Sequence, residues 1–282
     1  MQKKPSRSRH AAGKPAKKKS RRDYELQQTP RVNYQVDLES ERRPPTDDAG
    51  ILLTNLRLDL GCGSCKKPGT FGVDILDVPG VDFVVDMENE RLPFEDNTVE
   101  NVHSSHFLEH VDCHARIFTD VTRVCKDGAR LEFWTPFAWS DDAFIFTHKT
   151  FFNDEHYLHM CYWYPDAYDK MLNARWVLHE IQYVVRPDIL KELLANNVSL
   201  DFALRYWKNI AREFGVYITV HKGTKPELPA VRRTFSIGRF AERFELRRED
   251  PAKIAAVQLG AAVKTFSCGG PLPANCWDSE VR

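Results

Sequence analysis

The stretch Leu58-Asp59-Leu60-Gly61-Cys62-Gly63 decides the fold. An apolar strand runs straight into Gly-x-Gly, and glycine lets the backbone turn sharply and approach a ligand because it tolerates positive φ and has no Cβ to collide. A dinucleotide fingerprint would need a third glycine at position 66, where Lys66 stands, so a pyrophosphate ligand is poorly supported. Working outward, residues 56–60, 72–75, 82–85, 99–104 and 129–135 read as short buried strands, the last stopped by Pro136. Residues 110–124 read as a helix that turns Val111, Ile117, Phe118, Val121 and Val124 to one side. Such alternation predicts an α/β protein with a mostly parallel sheet and helices on both faces. After an aromatic-rich break, strands at 176–185 and 216–221, separated by helical patterns at 187–196 and 200–214, bring the expected number of strands to seven.

Charge divides the chain. Lys plus Arg and Asp plus Glu both total 40, but the first 22 residues hold ten of the basic residues and none of the acidic ones. The remainder has 30 basic against 40 acidic residues, so a basic tail precedes an acidic body. The tail has almost nothing to bury and is expected to be disordered, with a linker containing Pro44 and Pro45 continuing to residue 49. The main domain is expected over 50–228, with an insert near 137–175, followed by an extension over 229–282 in which 239–246 reads as either an edge strand or a helix. No run of about 18 apolar residues occurs, and no apolar stretch follows the N-terminal charges. These features predict a cytoplasmic protein with no membrane partner. Seven cysteines, an odd number without framework spacing, read as reduced thiols.

Further motifs follow in order: Gly72-Val73-Asp74-Ile75, Val84-Val85-Asp86-Met87, Leu92-Pro93-Phe94-Glu95-Asp96-Asn97, Ser104-Ser105-His106, Leu108-Glu109-His110 and Arg123-Val124-Cys125-Lys126-Asp127-Gly128. The ordered set resembles the class I S-adenosylmethionine-dependent methyltransferases, especially the small-molecule branch called type 11. The likeness covers residues 56–136 closely and extends more loosely to about 221. It implies a Rossmann-like sheet with S-adenosyl-L-methionine as cofactor. Gly61 and Gly63 would then lie along the amino-acid part of the cofactor, with Asp59 among the cofactor-binding residues. Asp74 would accept both ribose hydroxyls, Asp86 with Met87 would frame the adenine, and Ser105 and His106 would lie under the sulfonium. Ser64 through Pro68 departs from the small residues usual after Gly63.

The insert carries His148-Lys149-Thr150-Phe151-Phe152, which resembles a His-x-x-x-Phe element over the active site of small-molecule methyltransferases. His148 is the leading candidate for a general base and His106 the second, since imidazole titrates near working pH, with Asp141 or Asp142 as orienting groups. The insert's aromatics, Phe144, Phe146, Phe151, Phe152, Tyr157, Tyr162, Trp163 and Tyr164, read mostly as core of a lid. His106, His110 and His114 recur at four-residue steps, but His106 precedes the helix, so no metal is expected. Cys62-x-x-Cys65 falls inside the glycine turn and is not read as a redox pair. The expected substrate is a small molecule or glycan accepting methyl on a hydroxyl or amine. The basic tail leaves RNA or protein as a second substrate class, which the acidic body argues against, and a non-catalytic scaffold as a third.

Overall fold

The computed structural model describes residues 54–246; the tail and linker expected over 1–49 and the extension beyond Leu246 lie outside them. Nine strands form one sheet: β1 Leu56–Leu60, β2 Phe71–Asp74, β3 Phe83–Val84, β4 Val99–Ser105, β5 Cys125–Pro136, β6 Arg175–Val185, β7 Ala211–His221, β8 Arg232–Ser236 and β9 Phe244–Glu245. Their order is β3-β2-β1-β4-β5-β7-β6-β8-β9. Pairing is parallel from β3 through β5 and between β6 and β8, and antiparallel where β7 enters between β5 and β6 and at β9. The mostly parallel α/β architecture agrees with expectation, whereas seven strands is an undercount. Residues 229–246 continue the sheet, with Phe235 and Phe244 packed ring to ring at 5.7 Å across β8 and β9.

Five helices accompany the sheet: α1 His114–Val124, α2 Asp154–Leu158, α3 Pro165–Leu172, α4 Pro187–Ala195 and α5 Leu200–Tyr206. Two expected helices are shorter than their apolar patterns. The one expected over 110–124 divides into a tight turn, Leu108–His110, and α1. The one expected over 200–214 stops at Tyr206, because Asn209 adopts a left-handed φ of 62° and donates its N–H to the Trp139 carbonyl, so β7 begins at Ala211 rather than 216.

Among the described residues, contacts place α1, α2 and α5 on one face of the sheet. Leu131 and Phe133 of β5 point to the face where Phe118 of α1 stacks on Phe133 at 5.8 Å and Thr122 accepts from the Trp176 indole at 3.0 Å. On the same face Tyr183 of β6 donates to Asp154 of α2 at 2.6 Å, and Arg233 of β8 pairs with Asp201 of α5. The opposite face presents Arg57 and Asp59 of β1, His103 of β4, Arg130 and Glu132 of β5 and Tyr217 of β7, placed side by side by the strand register. The connections over 61–70 and 75–82 hold no helix, being too short for the usual helical crossover between parallel strands. That face carries ion pairs instead, Lys67 to Glu132 at 2.6 Å and His103 to Asp59 at 2.7 Å, beside an open groove of about 790 Å³. The groove runs along the strands, away from their carboxyl ends. No helix among the described residues is long and apolar enough to cross a membrane.

Candidate active site at the carboxyl edge of the sheet

The glycine turn is fixed from both sides. Gly61 has φ +65°, and a Cβ added there would stand 2.2 Å from the Phe107 side chain. Gly61→Ala is therefore expected to destabilise the fold by roughly 2–4 kcal/mol, combining left-handed strain with overpacking; the midpoint of chemical denaturation measures it, and an unchanged midpoint contradicts this packing. Gly63 also has positive φ, 49°, but open space where its Cβ would be. A ligand can approach its backbone closely. Its N–H donates to Asp74 Oδ2 at 2.8 Å, and Leu76 N–H donates to Oδ1 at 2.9 Å. Each Asp74 oxygen thus keeps one lone pair, and the pair of them faces the loop that Gly63 opens.

Other expected cofactor residues lie where the sequence places them but are differently engaged. Asp86 closes its own turn, accepting from Glu88 N–H at 3.0 Å and the Asn89 amide at 2.8 Å. Met87 is buried in the core rather than presented to a ligand. Asp59 is on the polar face, accepting from Lys67 N–H at 2.7 Å and from His103, so it anchors the 61–67 loop from below instead of reaching over it. Ser105 Oγ accepts from Arg239 at 2.6 Å.

His106 is the chief revision. It has left-handed φ 53°, a conformation few non-glycine residues adopt outside turns and sites. Its Nδ1 donates to Glu109 Oε1 at 3.1 Å and its Nε2 to Glu213 Oε2 at 2.8 Å. Burial pushes His106 toward the neutral form, yet the two carboxylates outweigh it and raise its pKa. Burial likewise raises Glu213, but hydrogen bonds from His106 and Arg239 overcome that and hold it at about 2. His106 is an imidazolium locked between two anions and has no lone pair to serve as a base. Glu213 and Arg239, which hold it, come from β7 and the β8–β9 connection. Reading the sequence missed both, since nothing local marks Glu213, 107 positions from His106, or Arg239, 134 positions from Ser105.

His148 is free at the nitrogen that matters. Its Nδ1 donates to the Ala143 carbonyl at 3.0 Å, leaving Nε2 as an acceptor, and burial lowers its pKa, keeping the ring neutral. His110 is oriented the same way, Nδ1 to the Thr147 carbonyl at 3.2 Å, and the two rings meet edge to face at 4.8 Å. Lys149 and Thr150 N–H groups both donate to the Glu109 carbonyl, pinning the insert to the turn that follows β4. Of His106, His110 and His114, which recur at four-residue steps, the third donates to the Leu108 carbonyl and leaves the group. The cluster that does form is Glu109, His110 and His148, whose ligand atoms lie within 4.8 Å of one another. Asp141 and Asp142 orient neither histidine, because they pair with Lys208 and Arg212.

The insert's aromatics are mostly exposed, against expectation. Phe152 and Tyr157 are buried, while Phe144, Phe146, Phe151, Tyr162, Trp163 and Tyr164 face solvent. Phe144 and Phe151, flanking His148 in sequence, stack at 5.0 Å. Among the cysteines, Cys62 is buried with its thiol pushed up to about 12, chiefly by burial, which removes the redox reading. Cys113, Cys125 and Cys161 are free thiols like Cys62.

Residues 58–133 match the family described as methyltransferase domain. No curated protein matches the chain. Among solved structures the chain is similar to a SAM-dependent methyltransferase from Archaeoglobus fulgidus, at 17% identity over 59% of this chain and 86% of that one, TM-score 0.41. It is also similar to an S-adenosylmethionine-dependent methyltransferase from Mesorhizobium loti, at 14% identity over 59% and 91%, TM-score 0.40. A third is geranyl diphosphate C-methyltransferase from Streptomyces coelicolor A3(2), at 15% identity over 63% and 70%, TM-score 0.38. The family match lies on the glycine turn and the Asp74 strand end, so residues 58–133 are similar to a methyltransferase domain, the kind of domain whose cofactor is S-adenosyl-L-methionine.

The residues fit that cofactor at two points: the open backbone at Gly63 and the spare lone pairs of Asp74, the acceptor set a ribose diol needs. Asp74→Ala removes that acceptor and the loop's anchor together. It is expected to weaken binding of S-adenosylhomocysteine by roughly 5–150-fold, the equivalent of about 1–3 kcal/mol for hydrogen bonds to a charged group. Calorimetry reads this directly; an unchanged dissociation constant places Asp74 outside the site.

Proposed function

We propose that the chain transfers a methyl group to a hydroxyl or amine of a small molecule or glycan, with the acceptor seated between His148 and the exposed aromatics of the insert. The observation that carries this reading is the unengaged Nε2 of a neutral His148 beside the Phe144–Phe151 pair, on a segment tied by backbone hydrogen bonds to the end of β4. Gly63 and Asp74 would hold S-adenosyl-L-methionine at the glycine turn, where it would supply an electrophilic sulfonium methyl group. The protein's part is mainly alignment, with help for the proton only where the acceptor must lose one. His148 Nε2 is the group placed for that proton. The locked His106, Glu213 and Arg239 set fixes the backbone at the end of β4 on which the reacting centre depends. Exposed aromatic faces suit a ring-shaped or sugar acceptor.

The test is a screen with methyl-labelled cofactor against small hydroxyl and amine acceptors, glycans, bulk RNA and protein. Label entering a small molecule or glycan, and lost in His148→Ala, is the expected result. Label entering only RNA or protein overturns the substrate class while leaving methyl transfer in place.

A further inference from the structure

We propose that Glu109, His110 and His148 form a binding site for a divalent transition-metal cation of the zinc or cobalt kind. Three independent features point to it. The first is an orphan: Glu109 is 1% exposed, its Oε1 accepts from His106, and its Oε2 is buried without any hydrogen-bond partner. An unpartnered buried carboxylate oxygen is costly, and a cation relieves that cost. The second is the tautomer of both imidazoles. His110 and His148 each spend Nδ1 on a backbone carbonyl, the arrangement that orients a ligating ring and leaves Nε2 as the donor atom. The third is convergence, with one donor atom from each residue inside a 4.8 Å span. The edges of a zinc tetrahedron with bonds of about 2.0–2.1 Å are roughly 3.3 Å, so side-chain rotation has about 1.5 Å to close at most. Two imidazoles and one carboxylate make a set that zinc uses when positions are left for water or substrate. Here the buried carboxylate forms the floor and the two half-buried rings form the rim, so those positions face solvent and the acceptor.

This inference deepens the methyl-transfer reading and rests on it for the cation's task, which is to take the acceptor's oxygen as a further ligand and favour loss of its proton. The lone pair of His148 then holds the metal rather than the proton. The site itself stands or falls separately. The full chain, freed of metal with chelator, is titrated with Co²⁺ while its visible absorption is followed, and with Zn²⁺ in competition; S-adenosylhomocysteine binding to the same metal-free protein is measured by calorimetry. One equivalent of Co²⁺ with the intense bands of a low-coordinate nitrogen–oxygen site, displaced by Zn²⁺, is expected. His110→Ala and His148→Ala should each weaken binding by about 100-fold or more, beyond the 10–100-fold usual for losing a supporting partner. Glu109→Gln should do the same, and because that residue is buried the two half-buried histidines keep the test decisive if it fails to fold. No stoichiometric Co²⁺ binding, or binding unaffected by the histidine variants, overturns the proposal. S-adenosylhomocysteine binding without metal binding leaves methyl transfer standing and removes the metal site; metal binding without S-adenosylhomocysteine binding does the reverse.

Discussion

Replacing His148 by alanine is expected to lower turnover about 10²–10⁴-fold while the dissociation constant for S-adenosylhomocysteine stays near the parent value. The split follows from position. His148 lies on the insert, hydrogen-bonded to the Ala143 carbonyl, and the neighbouring Lys149 and Thr150 N–H groups bond to Glu109, whereas the cofactor fit rests on Gly63 and Asp74. A purely structural His148 would behave differently: its loss would release one hydrogen bond to Ala143 and one ring contact with His110, lowering the melting temperature and substrate affinity but sparing the rate at saturation. Thermal melts beside saturation kinetics separate the two. A folded variant with near-parent turnover removes His148 from the chemistry.

The second large effect falls on stability. Glu213→Gln strips the carboxylate from between Arg239 and His106, leaving two cations at a buried position with a single anion, Glu109, on the far side of the imidazole. Breaking a buried charge cluster in this way costs about 3–5 kcal/mol. Its pH dependence has a definite sign. Glu213 has a folded-state pKa of about 2, below its ordinary 4.5, so its contribution is fully present above 4.5 and is lost as pH falls toward 2. The parent should therefore lose its advantage over the variant in that window. Denaturation at neutral pH and near pH 3 measures it; a difference that is small at neutral pH, or that grows on acidification, contradicts the geometry described.

The glycine turn, the acid at the end of β2 and the strand sequence through β5 were legible because each is a local signal: Gly61 and Gly63 for positive φ, Asp74 for a strand end, and apolar runs for buried strands. The polar face of the sheet was also written locally and went unread. In Ala129-Arg130-Leu131-Glu132-Phe133 polar residues alternate with apolar ones, the period-two pattern of a strand covered on one side, whereas strands covered on both faces run continuously apolar. The short connections over 61–70 and 75–82 said the same. The clusters at the site were not legible, because they join residues far apart in the chain. His106 meets Glu213 and Arg239 only once β7 and the β8–β9 connection have folded against the end of β4. His148 meets His110 only because the insert turns back over the Leu108–His110 turn. The exposed aromatics misled for the related reason that composition reports what could be buried, and tertiary structure decides how much is.

Titration of the full chain with S-adenosylhomocysteine by calorimetry tests the central claim most directly. One molecule bound per chain, with affinity falling roughly 5–150-fold in Asp74→Ala, is the predicted result. A folded parent chain that takes up no S-adenosylhomocysteine would contradict it, since the open backbone at Gly63 and the spare lone pairs of Asp74 would then serve no cofactor.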